Sequence, residues 1–224
     1  MGKQFTLTST DKFQLGAYRA DPSGTPKGGM VVIQEIFGVN QHIRAVTDKL
    51  AQEGYAPVAP ALFDRQTKGF ECGYTPDEIA NARKFIANPD WDAMLRDTQA
   101  AINELKSAGP VGIMGFCMGG SIAFLAACRL SGLSASVAYY GGAIAKFADE
   151  KPKCPIMMHF GETDAAIPMT DVEMIKQKQP TAEIFAYPVA GHGFHCDERG
   201  SFHEPSAKLA WQRSLDFLTK YMKK

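Results

Sequence analysis

Short apolar runs recur along this chain, each fenced by turn residues. MVVIQ at 30–34 follows a loop, 21–29, that holds two prolines and three glycines; VGIMG at 111–115 follows Gly109-Pro110; PIMMHF occupies 155–160 and EIFAY 183–187. A five- or six-residue run with almost no polar face needs cover on both sides, which is the situation of a strand inside a parallel sheet. Between the runs the apolar spacing changes to three and four. Ile43, Val46, Leu50 and Ala51 make one stripe behind a candidate cap at Asn40 and before a stop at Gly54. Thr75-Pro76-Asp77-Glu78 and Thr170-Asp171-Val172-Glu173 both have the form of capping boxes, and Leu215, Leu218 and Met222 lie on a last helix over about 205–221. A further helix is expected from Trp91 to Ser107 and an opening hairpin at 4–8 and 13–19, turning at Asp11-Lys12. Strands alternating with helices predict an α/β fold: a mostly parallel central sheet with helices on both faces. No Pro/Gly/Ser linker divides the chain, so residues 1–224 are expected to form a single domain.

Charge and cysteine usage narrow the function. Lys+Arg and Asp+Glu are both 24, the net charge is zero, and no long basic run occurs, which argues against a nucleic-acid partner. The longest apolar candidate, Ser121–Cys128, falls far short of the ~20 residues needed to cross a bilayer. The opening MGKQFTLTST lacks the apolar core of a signal peptide; Gly2 and Thr6 fit a loose N-myristoylation pattern, but the segment reads more simply as a first strand. The five cysteines, Cys72, Cys117, Cys128, Cys154 and Cys196, are odd in number, irregularly spaced and without CxxC, as in a reducing compartment, so a cytoplasmic location is expected. A monomer is the simplest expectation.

The chemistry centres on 111–128, where VGIM meets G-F-C-M-G-G and resumes as the apolar helix SIAFLAAC. A strand-to-helix turn this tight strains its apex residue, and flanking glycines let strand and helix approach. The apex side chain is held above the sheet edge at a helix N-terminus, where the macrodipole favours an anion. Cys117 at that apex is a nucleophile candidate; the competing reading is a small buried hydrophobe in a Gly-rich turn. A nucleophile there needs a base and an orienting acid in the chain order nucleophile, acid, histidine. Asp164 follows the run at 155–160 and His192, between two glycines, follows the run at 183–187, so adjacent strand ends can bring them to Cys117. Glu162 competes with Asp164. His159 lies inside an apolar run and reads as a core histidine, while His42 and His203, at helix starts, read as surface residues. His192, His195 and Cys196 make H-x-x-H-C, but metal sites pair two ligand clusters and no second cluster is visible, so no metal is expected.

Taken together, QEIFGVN (34–40), APALF, GFCMGG (115–120), GETDAAIP and AGHGF resemble the dienelactone hydrolase family, a branch of the α/β-hydrolase fold, in the family's order and over most of the chain. The resemblance implies Cys117 as nucleophile, His192 as base and Asp164 as orienter. It further implies an oxyanion hole from the backbone N–H groups of Met118 and Ile36, and a small lactone or ester as substrate with no cofactor. It also places Glu35 at the active site, where a carboxylate would hold the proton on the thiol; Glu35 is read as a gate on thiol reactivity, against a solvated strand-end carboxylate. One departure stands out: the best-known dienelactone hydrolases carry an arginine a few residues after the histidine, and here Cys196 holds that place with Arg199 shifted along, Arg65 and Arg83 being other candidates. The irregular segment 62–74 is expected to roof the pocket. The alternatives are a general carboxylesterase or thioesterase, and a redox-active thiol protein on the same fold using Cys117 and Cys196.

Overall fold

The apolar runs assemble side by side. In the computed structural model, which describes residues 2–223, they form one eight-stranded sheet of order β1-β2-β4-β3-β5-β6-β7-β8. Its strands are β1 (Lys3–Thr8), β2 (Gln14–Arg19), β3 (Gly29–Ile33), β4 (Ala56–Pro60), β5 (Val111–Phe116), β6 (Ala135–Tyr139), β7 (Ile156–Gly161) and β8 (Glu183–Tyr187). The hairpin β1–β2 and the pair β2–β4 are antiparallel and all remaining pairs are parallel. This is the α/β-hydrolase fold. Strands β3 to β7 are buried at every position, which explains why their sequences show no alternation. The segment at Gly2 precedes β1, and its N–H donates to Tyr18 Oη at 2.8 Å and Asp48 Oδ1 at 3.1 Å.

The helices are α1 (Gln41–Gln52), α2 (Pro76–Lys84), α3 (Trp91–Leu105), α4 (Met118–Arg129), α5 (Ile144–Phe147), α6 (Met169–Lys178) and α7 (Glu204–Tyr221). Asn40 caps α1 through Ile43 N–H at 3.3 Å, and Thr75 and Glu78 form the reciprocal capping box of α2. The second expected box does not form. Helix α6 starts two residues earlier, at Met169, because the Pro168 carbonyl already accepts from Asp171 N–H at 2.9 Å, and Thr170 lies inside the first turn. The one-turn helix α5 had no sequence counterpart. Helix α4 is apolar around nearly its whole girth, with 11 buried residues, and lies against β5 and β6. Among the described residues no helix is long and apolar enough to cross a membrane.

The parallel strands all point their carboxyl ends to one edge of the sheet. The order of the sheet therefore brings the segments following β3, β5, β7 and β8 to that edge, although they are scattered between residues 34 and 203.

Candidate active site

Cys117 sits between β5 and α4 with φ 56° and ψ −118°, a left-handed backbone that costs a non-glycine residue about 1–2 kcal/mol. Two close approaches enforce this turn: a Cβ at Gly115 would overlap the carbonyl of Gly119, and one at Gly119 would overlap the carbonyl of Ile33. The Cys117 N–H donates to Tyr139 O at 3.0 Å, and its carbonyl accepts from Gly120 N–H at 2.9 Å. The side chain is thus presented upward, half-buried, at the positive end of α4.

Three side chains then meet in a line. Cys117 Sγ lies 3.1 Å from His192 Nε2, and His192 Nδ1 lies 2.7 Å from Asp164 Oδ2. Asp164 is buried, and its other oxygen accepts from Ala166 N–H at 2.8 Å, which fixes the carboxylate's rotation. The loops that carry acid and base are stitched together by Thr163 N–H donating to Ala190 O at 3.0 Å. Glu162, the rival acid, points into solvent. Burial works against a charge on His192, but the sulfur of Cys117 and the hydrogen bond to Asp164 outweigh it and raise the imidazole to about 10. A proton on this ring is therefore held between sulfur and carboxylate.

Cys117, His192, Met118 and Ile36 border the same cleft, of about 370 Å3. Among the described residues, neither the Ile36 nor the Met118 N–H has a backbone acceptor. The roof differs from expectation. Residues 62–74 do not line the cleft; Ile79 and Arg83 of α2, with Ile86, Pro89 and Trp91 just beyond it, do. The capping box begins a helix at Pro76 that carries its apolar side chains over the opening, while 62–74 packs beneath it, Phe63 stacking on Phe85 at 4.8 Å.

Glu35 is 1% exposed, so it is not a solvated strand-end carboxylate. Its Oε1 accepts from Arg199 Nη1 at 3.2 Å, and Arg199 also borders the cleft beside Cys117. Arg199 reaches this position because Gly193 leaves room: a Cβ there would strike the guanidinium. Arg83 is the other cation of the cleft. Arg65 lies elsewhere, in a two-pronged pair with the buried Asp97 at 2.8 Å on each prong. Cys196 is fully buried, donates to Tyr74 Oη at 3.3 Å, and is pushed up to about 12 by burial and by Glu35. A redox partner for Cys117 would need a reactive thiol, and Cys196 is the opposite of one. His159 is a core histidine as expected, and His203 pairs with Ser206 at 2.7 Å. His42 is 3% exposed, not at the surface: the 194–197 loop closes over it, with the His195 ring 6.0 Å away.

The chain is similar to known proteins along nearly all its length. The model of the dienelactone hydrolase family matches residues 15–222. The "Putative carboxymethylenebutenolidase" of Synechocystis sp. is 40% identical over 220 residues, 89% of each chain. The carboxymethylenebutenolidase of Pseudomonas putida is 32% identical over 95% of this chain and 94% of its own. The solved "Putative Dienelactone Hydrolase" from Klebsiella pneumoniae subsp. pneumoniae MGH 78578 superposes with a TM-score of 0.86 at 33% identity, covering 99% of this chain and 100% of that one.

Proposed function

The chain belongs to the dienelactone hydrolase family and is a dienelactone hydrolase-like hydrolase, and on that premise we propose that it cleaves small lactones or carboxylic esters through Cys117, His192 and Asp164. The observation that carries the reading is the line of hydrogen bonds from Cys117 Sγ through His192 to Asp164, 3.1 Å and 2.7 Å long, at the side of an apolar cleft.

His192 Nε2 takes the proton from Sγ, and the thiolate adds to the carbonyl carbon. The carbonyl π pair moves onto oxygen, which the N–H groups of Ile36 and Met118 receive; each such donor contributes roughly 3–4 kcal/mol in comparable sites. Collapse breaks the carbon–oxygen bond, and the proton on His192 goes to the leaving oxygen, which in a lactone stays tethered to the thioacyl intermediate. Water, deprotonated by His192, adds to the thioester, and the thiolate departs with the acid. Asp164 holds the imidazole in the required tautomer throughout. No step calls for a cofactor.

Glu35 acts on the thiol through Arg199. Its carboxylate occupies the guanidinium, and freeing either group changes the charge beside Cys117. The apolar lining favours a small hydrocarbon-rich substrate, and Arg83 and Arg199 suit one bearing a carboxylate. Five unpaired thiols fit work in the reducing cytoplasm.

The test is a panel of lactones, p-nitrophenyl esters and thioesters with wild type and Cys117→Ala. Turnover of the best substrate is expected to vanish in the variant while its circular dichroism is unchanged. Full activity of the folded variant overturns the mechanism.

A further inference from the structure

Behind the nucleophile, and outside the line of three, lies a second group of reactive side chains. Glu35 comes from the turn after β3, His42 from the first turn of α1, and Cys196 from the loop after β8. One donor atom from each, an oxygen, a nitrogen and a sulfur, lies within 4.8 Å of the other two. All three residues are more than nine-tenths buried, at 1%, 3% and 0% exposure. Among the described residues two of the donors have no hydrogen-bond partner: Glu35 Oε2 and His42 Nε2. Leaving buried polar atoms of this kind unmatched costs about 1–3 kcal/mol each, so their presence together needs an account.

We propose that Glu35, His42 and Cys196 form a binding site for one Zn2+ per chain. The donor set is that of a borderline cation: carboxylate oxygen, imidazole nitrogen and thiolate sulfur, as zinc takes them. The far side of His42 is prepared for the role. Its Nδ1 lies 3.4 Å from Asp197 Oδ1, the carboxylate–histidine arrangement that fixes a metal-binding imidazole with Nε2 facing the ion. Glu35 can bind through Oε2 while Oε1 keeps Arg199. Tetrahedral zinc holds its donors roughly 3.4–3.8 Å apart, so from separations of up to 4.8 Å the three side chains close in by at most about 1.4 Å. Tyr74 Oη, 3.3 Å from Cys196 Sγ, or a water takes the fourth place.

Charge balances as well. On binding, the Cys196 thiol gives up its proton to the buffer and a sulfur–zinc bond forms. Zn2+ and Arg199 bring three positive charges, and Glu35, the Cys196 thiolate and Asp197 bring three negative ones. Access is through a pocket of about 220 Å3 between α1 and α7, whose wall includes His42 and Asp197. The H-x-x-H-C run lacks a second ligand cluster in sequence; folding supplies it from residues more than 150 positions earlier.

The experiment reads metal directly, without turnover, so its result stands apart from that of the hydrolysis test. Purified protein is stripped with chelator, loaded with Zn2+ alone, desalted and assayed for bound metal; Co2+ alone is used in parallel for its thiolate-to-metal absorption band. Wild type is expected to retain one equivalent and to show the band. Cys196→Ser is expected to lose the band, and His42→Ala to retain less than about a tenth as much metal. Asp197→Asn, at an exposed position that spares the core, is expected to weaken binding about tenfold or more. Cys117→Ala is expected to bind as wild type does. Stoichiometric binding that survives Cys196→Ser and Asp197→Asn, binding lost only in Cys117→Ala, or no retained metal in wild type overturns the proposal.

Discussion

In the proposed chemistry, single residues act through where their protons rest. His192 is the pivot, because Cys117 and Asp164 together hold its proton more firmly than burial opposes it. Asp164→Asn leaves the shape intact but offers Nδ1 the wrong partner. It is expected to lower kcat by about 10³–10⁴-fold with KM nearly unchanged, as steady-state kinetics on an activated ester will show. That the side chains of Cys117, His192 and Asp164 meet was legible in the sequence because the turn glycines and the strand-end positions leave few alternatives. Two other residues were not. His42 reads as a surface residue from its own helix, and only the loop around His195, some 150 residues on, buries it. Arg199 was visible only as a displaced arginine. Its place beside Glu35 depends on the missing side chain at Gly193, a contact no local pattern announces.

At the scale of elements, the strands and the caps were readable wherever a local rule acts alone. The apolar runs became strands within one or two residues of expectation, and Thr75 caps α2 as its box implies. The rule failed at Thr170, where a proline two residues back takes over the start of the helix. It also failed for the roof, since what lies above a cleft is a tertiary matter. Helix α2 is the least anchored of the roof elements: of its nine residues only Ala82 is buried, so its cap matters more than most. Thr75→Ala is expected to cost about 1 kcal/mol of local stability. Amide exchange over 76–84 should quicken about fivefold, and KM should rise through Ile79 and Arg83 while the melting temperature holds. Unchanged exchange in that segment would mean the cleft itself, and not the cap, holds the roof.

For the whole molecule, acid is the expected weakness. His159 lies on β7, one strand in from the edge of the sheet, yet fully buried, and burial, with Arg213 adding to it, pulls its imidazole down to about 3. Its nitrogens meet Tyr187 Oη at 2.8 Å and Ser214 Oγ at 3.0 Å, and the ring of Tyr139 packs at 4.5 Å, so both hydrogen-bond partners of the ring are hydroxyls and neither is a carboxylate that would welcome a charge. The unfolded chain binds this proton below about pH 6.5 and the folded one does not. Stability is therefore full above that value and declines as pH falls toward 3, by at most about 5 kcal/mol from this residue. Urea midpoints at pH 7, 5 and 4 should fall, and fall less steeply in His159→Phe; equal slopes would assign the acid sensitivity to other groups. The same sheet has a working end and a handle. Every side chain given a chemical task hangs from the rim where the parallel strands finish, and the turns leading into those strands at the opposite rim have none. A carrier, a label or a solid support joined at that quiet rim leaves the mouth of the cleft facing outward and unobstructed.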